Sequence, residues 1–272
     1  MNSLHTSSFQ DKLPLITIIT VVKNGREYIQ ETLDSVFSQE YKNIEYIVVD
    51  GCSNDGTSEI IYNNKDKIDL IIREEDAGIY AAMNKGIDSA NGVLIGFLNA
   101  SDLLYSDSIS RLADAFQQND FDYSLGPAHI EDLRTEVITI SKPLKTLSFQ
   151  PRQYIGMPSA HLAIYMKTQV IKDLGKFDVQ YKLSADYDLM LRVLSAGYKA
   201  WYFKKSVGVF RLGGLSGSFK TQIENFSILR KYKIPLFRLI FIIGRPLFGL
   251  IIKKLFKKPV FTRLKYNFIK KN

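Results

Sequence analysis

The sequence predicts an α/β fold in which a largely parallel sheet is flanked by helices. Over residues 1–115, short runs of β-branched residues alternate with segments whose apolar residues recur at helical spacing. The chain has 272 residues, which is enough to bury a full core. Strands that alternate with helices, rather than runs of either, are typical of this layered fold.

The first half of the chain supplies the strands and helices in alternation. The run "ITIITVV" is continuous and β-branched, and in the segment after it Ile29, Leu33 and Val36 lie on one helical face. Ser106 is a candidate cap for a later helix. We therefore predict strands at 16–22, 44–50, 68–74 and 93–99 and helices at 26–39, 78–90 and 106–119, with a short helix opening within 51–61.

The second half of the chain has a looser pattern. A helix is predicted to end just before Gly197, where glycine favours termination. We expect this half to complete the same sheet rather than to form a separate domain. The predicted elements are strands near 121–125, 136–140, 161–166 and 199–211 and a helix at 184–196.

Charge is distributed unevenly along the chain. The formal net charge is +8, but the segment from Arg230 to the last residue holds thirteen Lys or Arg and no acidic residue. Residues 1–229 therefore carry a net charge of −5. This pattern argues against a nucleic-acid partner and predicts that a basic tail, residues 226–272, meets an anionic surface.

The tail is apolar between residues 234 and 258 but is interrupted by Arg238 and Arg245. Its uncharged runs are far shorter than the roughly 20 residues that span a bilayer. Lys231, Arg238 and Arg245 recur every seven residues, so a helix would align them on one face, with a break at Pro246. We predict an amphipathic helix at the membrane interface; the alternative is a helix packed on the body or on another subunit.

Cysteine content and the first residues bear on location. Cys52 is the only cysteine, which excludes an internal disulfide and suits a reducing compartment. The start, "MNSLHTSSFQDKLP", lacks the apolar core of a secretory signal. With the basic tail, this predicts a cytoplasmic protein that is peripheral on the inner face of the cell membrane.

Polar residues follow each early strand. Asn24 follows the first, Asp50 ends the second, and Asp76 and Asp102 lie beyond the third and fourth. In open α/β sheets, ligands bind in the crevice beyond the carboxyl ends of the strands. Asp and Asn are also ordinary loop residues, so each one alone has a simpler explanation as a turn residue. Together they predict a binding site.

Long stretches of the chain resemble a known family. The segments "ITIITVVKNGREYIQETLDSVFSQEYKNIEYIVVDGCSNDGT" and "EEDAGIYAAMNKGIDSANGVLIGFLNASD", followed by "GMPSAHLAIYMK", "SADYDLMLRVLSAGY" and "FRLGGLS", resemble family 2 glycosyltransferases of the kind that build bacterial surface polysaccharides. The resemblance covers residues 14–218. It implies a GT-A fold, which is Rossmann-like with a mixed, mostly parallel sheet, over residues 1–225. The nucleotide-binding half would be 14–120 and the acceptor half 121–225.

The resemblance implies a set of donor-binding residues. A carboxylate at Asp50 can accept hydrogen bonds from a uracil imide or from ribose hydroxyls. Gly78 allows a close backbone approach to the ligand. The donor would be a nucleotide-diphosphate sugar, with a UDP-sugar favoured. The full set is Thr20, Val22, Asn24, Asp50, Asp76, Gly78, Asn84, Asn99 and Ser101.

Asp102 is the residue that the resemblance places at a metal. Mg²⁺ or Mn²⁺ prefers carboxylate, phosphate and water oxygens, and would offset the charge of a diphosphate. Relatives often have paired aspartates here, whereas Ser101 leaves this chain a single carboxylate. The alternative is that Asp102 is only a turn or capping residue.

The acceptor half contributes the candidate base. Ser184 is predicted to cap a helix whose first turn holds Asp186 and Asp188. The resemblance favours Asp186 as the general base, although Ala185 replaces a glutamate common in relatives. His161 lies in a segment similar to one near the acceptor. Within the loop at 211–218, Arg211 and Ser216 are candidate lid residues that would reach the diphosphate.

The expected activity is transfer of a sugar from the nucleotide donor to a hydroxyl of a lipid-linked or other glycan acceptor, with inversion at the anomeric carbon. Two alternatives stay open. A sugar nucleotidyltransferase also binds nucleotides on an α/β sheet, but it needs a glycine-rich basic loop of which "VVKNGREY" is a poor version. The missing second aspartate also allows a non-catalytic membrane adaptor.

Overall fold

The computed structural model describes residues 13–133, 135–144, 157–212 and 219–232. Strands and helices alternate through the first half, as predicted. The strands are β1 (Ile16–Val22), β2 (Ile44–Asp50), β3 (Leu70–Arg73), β4 (Leu94–Phe97), β5 (Leu103–Leu104), β6 (Tyr123–Leu125), β7 (Ala128–Asp132), β8 (Val137–Ser141), β9 (Ile164–Lys167), β10 (Ala200–Tyr202) and β11 (Gly208–Leu212). The helices are α1 (Ile29–Phe37), α2 (Thr57–Asn63), α3 (Ile79–Ser89), α4 (Ser108–Gln118), α5 (Thr168–Asp173), α6 (Ala185–Ser195) and α7 (Phe219–Lys231).

The main sheet has seven strands in the order β10-β6-β9-β4-β1-β2-β3. Its pairs are parallel except that β9 runs antiparallel to both β4 and β6. In register, Val22 pairs with Asp50, and Asp50 pairs with Arg73. The carboxyl ends of β1, β2 and β3 therefore meet at one edge, as the predicted mixed, mostly parallel sheet requires.

The second half of the chain is divided between two sheets, so the expectation that it completes a single sheet is wrong in part. β6, β9 and β10 extend the main sheet, whereas β7, β8 and β11 join β5 in a four-stranded sheet. The strand predicted at 199–211 is broken by the polar residues 204–206 into β10 and β11, which go to different sheets. β11 pairs with β5 and β7, and this brings Arg211 next to Asp102.

The main sheet is buried on both faces. Successive side chains of a strand point to opposite faces. Ile19 and Val21 of β1 pack on the side of α3 and α6, and Ile16 and Ile18 pack on the side of α1 and α4. This two-sided burial explains the continuous apolar run that predicted β1.

α7 packs on the body through Ile228 and Leu229, which are fully buried in the core cluster that also contains α6. The boundary predicted between residues 225 and 226 therefore falls inside this helix. The remainder of the predicted tail, 233–272, lies outside the described residues. Among the helices of the described ranges, none is long and apolar enough to cross a bilayer.

Candidate active site

Asp50, at the end of β2, is almost completely buried. Its Oδ1 accepts a hydrogen bond from the backbone N–H of Ser53 at 2.9 Å, and its Oδ2 accepts one from the hydroxyl of Ser58. The guanidinium of Arg73 lies 3.5 Å from the same Oδ2. The carboxylate therefore anchors the loop that follows its own strand, at the edge where ligands bind in such sheets.

Asp76 and Gly78 lie beside that anchor. A Cβ added to Gly51 would come within 2.6 Å of Oδ2 of Asp76, so Asp76 packs directly on the end of β2. Oδ1 of Asp76 accepts a hydrogen bond from the N–H of Gly78 at 2.8 Å. Gly78 has φ of 124°, which favours glycine, and nothing lies within 4 Å of a Cβ added there. The structure thus brings the predicted donor residues 50, 76 and 78 together.

The other predicted donor residues near β1 differ in where they point. The hydroxyl of Thr20 bonds to that of Tyr46 at 3.0 Å, and Thr20 is fully buried. The Val22 side chain is also buried, and its carbonyl accepts from Gly51 at 2.9 Å. Asn24 is exposed, with Oδ1 bonded to the N–H of Asn54 at 3.0 Å. The side chain of Thr20 belongs to the core, on the same face of β1 as Ile18.

The side chain of Asn84, another predicted donor residue, bonds to a distant part of the chain. Its Nδ2 donates to the carbonyl of Phe177 at 2.9 Å, and its Oδ1 accepts from the N–H of Phe177 at 3.0 Å. Both amide atoms are thus engaged by one residue of the segment between α5 and α6. These two bonds tie α3 to the segment before α6.

The turn after β4 buries two oxygen atoms without partners. The backbone N–H groups of Ser101 and Asp102 both donate to the carbonyl of Asn99, at 2.8 and 2.9 Å. Oδ1 of Asp102 accepts from the N–H of Arg211 at 3.0 Å, whereas Oδ2 of Asp102 and Oδ1 of Asn99 are buried and unpaired. Burial raises the pKa of Asp102 to about 7, against the lowering effect of Arg211.

The side chain of Arg211 is held by two carboxylates. Its Nε donates to Glu131 at 2.9 Å and its Nη1 donates to Glu31 at 2.6 Å, while the guanidinium lies 5.9 Å from the centre of the Tyr28 ring. These contacts fix β11 across the turn that contains Asp102. Ser216, the other predicted lid residue, lies outside the described residues.

Asp186 lies in the first turn of α6, as predicted, and lines a mostly apolar pocket. Its Oδ1 accepts from the hydroxyl of Tyr80 at 2.9 Å and from the N–H of Tyr187 at 2.8 Å. Its Oδ2 lies 3.8 Å from Nδ1 of His161. The positive end of the helix dipole favours the ionised carboxylate here.

His161 shares this pocket. Its Nε2 is buried without a partner, and its ring lies 5.5 Å from that of Phe97 at the end of β4. Burial lowers the pKa of His161, and the nearby Asp186 only partly opposes this effect. The imidazole is therefore neutral at neutral pH and has one nitrogen free to accept or donate a hydrogen bond.

The contacts of Ser184 differ from the sequence prediction, and the contacts of Asp188 add to it. Ser184 stands at the N-cap position, but its side chain makes no capping bond and instead donates to the carbonyl of Thr221 at 3.5 Å. Asp188 is turned to the opposite side, where it pairs with Arg192 at 2.9 Å and Lys231 at 3.6 Å. Asp188 therefore has structural partners that Asp186 lacks.

Tyr80 is a site residue that the sequence analysis missed. Ile79, the first residue of α3, is 44% exposed, whereas Tyr80 is 8% exposed. The spacing of Tyr80, Met83 and Ile87 was the available signal, because residues three, four and seven apart share a helix face. Its contact with Asp186 spans 106 residues of sequence and could not be read from spacing.

The sequence of this chain is similar to those of several glycosyltransferases. An uncharacterized glycosyltransferase of Haemophilus influenzae is 30% identical over 230 residues, covering 80% of this chain and 89% of that protein. One from Rickettsia typhi is 32% identical over 188 residues, 66% of this chain. This chain covers only 59% of the Rickettsia typhi protein's length. The putative teichuronic acid biosynthesis glycosyltransferase TuaG of Bacillus subtilis is 35% identical over 101 residues, covering 36% of this chain and 40% of TuaG.

Solved structures show the same fold. TarS of S. aureus (residues 1–349) superposes with a TM-score of 0.64 at 16% identity, covering 85% of this chain and 70% of TarS. The mannosyltransferase PcManGT of Pyrobaculum calidifontis superposes with a TM-score of 0.61 at 17% identity, covering 90% of this chain and 76% of PcManGT. At these identities the likeness concerns the fold, and it confirms the predicted GT-A architecture. Residues 17–170 match the sequence model of "Glycosyl transferase family 2", and the chain belongs to that family.

Proposed function

We propose that this protein transfers a sugar from a nucleotide-diphosphate donor to an acceptor hydroxyl, with Asp186 as the general base. The observation that carries this proposal is the setting of the Asp186 carboxylate. Tyr80 and Tyr187 orient one of its oxygens, and the other faces His161 across the pocket. A general base must be ionised and must reach the proton that it removes.

The reaction would be a direct displacement. Asp186 takes the proton of the acceptor hydroxyl, and the hydroxyl oxygen attacks the anomeric carbon of the donor sugar. The bond between that carbon and the diphosphate oxygen breaks, and the nucleoside diphosphate leaves. Attack from the face opposite the leaving group inverts the anomeric centre.

The donor site would lie at the ends of β1, β2 and β3, where Asp50, Asp76 and Gly78 converge. A UDP-sugar is favoured. TarS has been solved with UDP and with UDP-GlcNAc, whereas PcManGT has been solved with GDP-Man, so the base and the sugar are open to test.

Asp102 and Asn99 fit a divalent cation. Each has a buried oxygen without a partner, and carboxylate and amide oxygens are ligands that Mg²⁺ and Mn²⁺ accept. Within residues 13–133, 135–144, 157–212 and 219–232, no group of three or more His, Cys, Asp or Glu could form a protein cage for a metal. A bound cation would therefore share phosphate oxygens of the donor, and it would supply positive charge that stabilises the departing diphosphate.

The acceptor is proposed to be a lipid-linked or other glycan in surface polysaccharide synthesis, on the inner face of the cell membrane. The names of relatives support this class: TuaG is a putative teichuronic acid enzyme, and a relative in Mycobacterium tuberculosis is a PGL/p-HBAD biosynthesis glycosyltransferase. The basic composition of residues 233–272 supports contact with anionic lipid.

The test is a panel of UDP- and GDP-sugars with Mn²⁺, in which release of the nucleoside diphosphate is measured with and without glycan acceptors. Asp186→Asn keeps the size of the side chain but removes the base. We expect it to lower the rate by about a hundredfold or more, with donor binding in a calorimeter unchanged. Asp66→Asn, at an exposed carboxylate, is the matched control.

Two results would contradict the proposal. If Asp186→Asn kept full transfer with a confirmed donor, the assignment of the base would be wrong. If no nucleotide produced binding heat with or without Mn²⁺, the donor site itself would be wrong, and a non-catalytic adaptor would be favoured.

A further inference from the structure

The start of α6 is held by α7. Oε1 of Glu224 accepts a hydrogen bond from the backbone N–H of Lys182 at 2.9 Å, and its Oε2 accepts one from the N–H of Leu183 at 2.8 Å. These two residues come directly before Ser184, the N-cap of α6. One carboxylate therefore fixes the chain just before the helix that carries Asp186.

Glu224 binds the chain just before a helix that lacks a side-chain cap. The first N–H groups of a helix need partners from outside it, and a serine N-cap normally supplies one. The Ser184 side chain does not, since it makes no bond to the helix. Glu224 instead orders the approach to the helix, and a charged acceptor binds N–H groups more strongly than a neutral one.

Contacts from the turn before α3 and from α7 also hold this segment. Nζ of Lys182 donates to the carbonyl of Ala77 at 3.3 Å, next to the predicted donor loop. Nζ of Lys231 lies 3.7 Å from Asp178 and 4.7 Å from the centre of the Tyr181 ring. Lys231 is half exposed, so its ion pair contributes little, whereas Glu224 engages two backbone groups directly.

We propose that Glu224 is a positioning residue for the base: it sets the place of Asp186 without touching the substrate. The inference rests on the proposed function, because it assumes that Asp186 is the base. Loss of the two hydrogen bonds would free residues 182–184 and let the first turn of α6 shift. A displacement of about 1 Å at a reacting group can lower a rate by about a hundredfold.

The experiment compares Glu224→Ala and Glu224→Gln with wild type. Glu224→Ala should lower kcat by about a hundredfold while donor affinity stays within about twofold, since the donor site is on other elements. Glu224→Gln should fall between Glu224→Ala and wild type, because its single carbonyl oxygen keeps one of the two bonds. Glu59→Ala, at an exposed glutamate of α2, is the control.

Backbone hydrogen exchange gives a second readout that needs no substrate. In Glu224→Ala, amides 182–188 should exchange faster, while those of β1 and β2 keep wild-type protection. If Glu224→Ala does not fold, the kinetic and the hydrogen-exchange measurements are both made on Glu224→Gln. If Glu224 had a purely structural role, its loss would lower stability and amide protection throughout the protein, and kcat and donor affinity would fall together.

The outcomes separate the two proposals. An active wild type with a fully active Glu224→Ala, or unchanged exchange at 182–188, overturns the positioning role and leaves the proposed function standing. A wild type that binds no nucleotide and transfers no sugar overturns the proposed function and this inference with it.

Discussion

The substitution Asp102→Asn should change how the stability of the protein depends on pH. Asp102 is 1% exposed, and burial raises the pKa of its carboxyl from 3.8 to about 7. The folded state therefore binds this proton more tightly than the unfolded state does. The asparagine side chain keeps an oxygen that can accept the bond from Arg211 but cannot ionise.

The size of the effect follows from linkage. Below about pH 4 the carboxyl is protonated in both states and contributes no pH dependence. Between about pH 4 and pH 7 the carboxyl ionises only in the unfolded state. As the pH rises through this range, the free energy of unfolding of the wild type therefore falls by about 1.4 kcal/mol per pH unit. Above about pH 7 both states are ionised, and the full penalty is about 4 kcal/mol.

Urea unfolding without nucleotide or divalent cation, at about pH 5 and about pH 8.5, measures this penalty. The side-chain amide that Asp102→Asn introduces leaves an unpaired buried donor that costs about 1–3 kcal/mol, but that cost does not change with pH. The free energy of unfolding of the variant, relative to wild type, should therefore rise by about 3 kcal/mol between the two conditions. Asp66→Asn is the control and should show no such rise, because that carboxylate is exposed.

A difference that stays constant across the pH range would refute this reasoning. It would mean that Asp102 remains solvated or paired in the folded protein. The unpaired Oδ2 would then not be available as a ligand with the properties that we assign to it.

Two further substitutions test the site. Tyr80→Phe removes one hydrogen bond to Asp186 and little volume, so we expect kcat to fall about tenfold while donor affinity is unchanged. Steady-state transfer measures kcat and calorimetry measures donor affinity. An unchanged kcat would show that Tyr80 does not orient the proposed base. The Cβ that Gly78→Ala adds meets no neighbour within 4 Å, but the alanine must adopt φ of 124°. Backbone strain alone should therefore lower the free energy of unfolding by about 1–2 kcal/mol, which urea unfolding measures. A neutral effect would show that the loop relaxes.

The sequence predicted local structure well where burial is two-sided. The bounds of β1 and β2 agree with the prediction, because long runs of β-branched residues are bounded by polar ones. The four-stranded sheet was missed because its strands are short and pair over long distances in sequence. Val209 pairs with Leu103 and with His129, and no local pattern specifies such a register.

The candidate site, like the fold, could be predicted from local pattern but not where it depends on contacts between distant segments. The crevice rule was sufficient to group Asp50, Asp76 and Gly78, because parallel strands deliver their ends to one edge. It could not show that the hydroxyl of Thr20 bonds to Tyr46, since that depends on which face of β1 the residue occupies. Nor could it show that Glu224 holds residues 182 and 183, a contact made between separate elements.

α3 links the two halves of the candidate site mechanically. Its N-cap, Gly78, bonds to Asp76 at the edge where we propose that the donor binds. One turn apart on the helix, Tyr80 bonds to Asp186 and Asn84 bonds to Phe177. Residues four apart lie on one face of a helix, so a single rigid face contacts both Asp186 and the segment leading to it. A shift of this helix would therefore move Asp186 as well. The Asn84 side chain donates to the carbonyl of Phe177 and accepts from its N–H, and this pairing gives a physical reason for an amide at position 84.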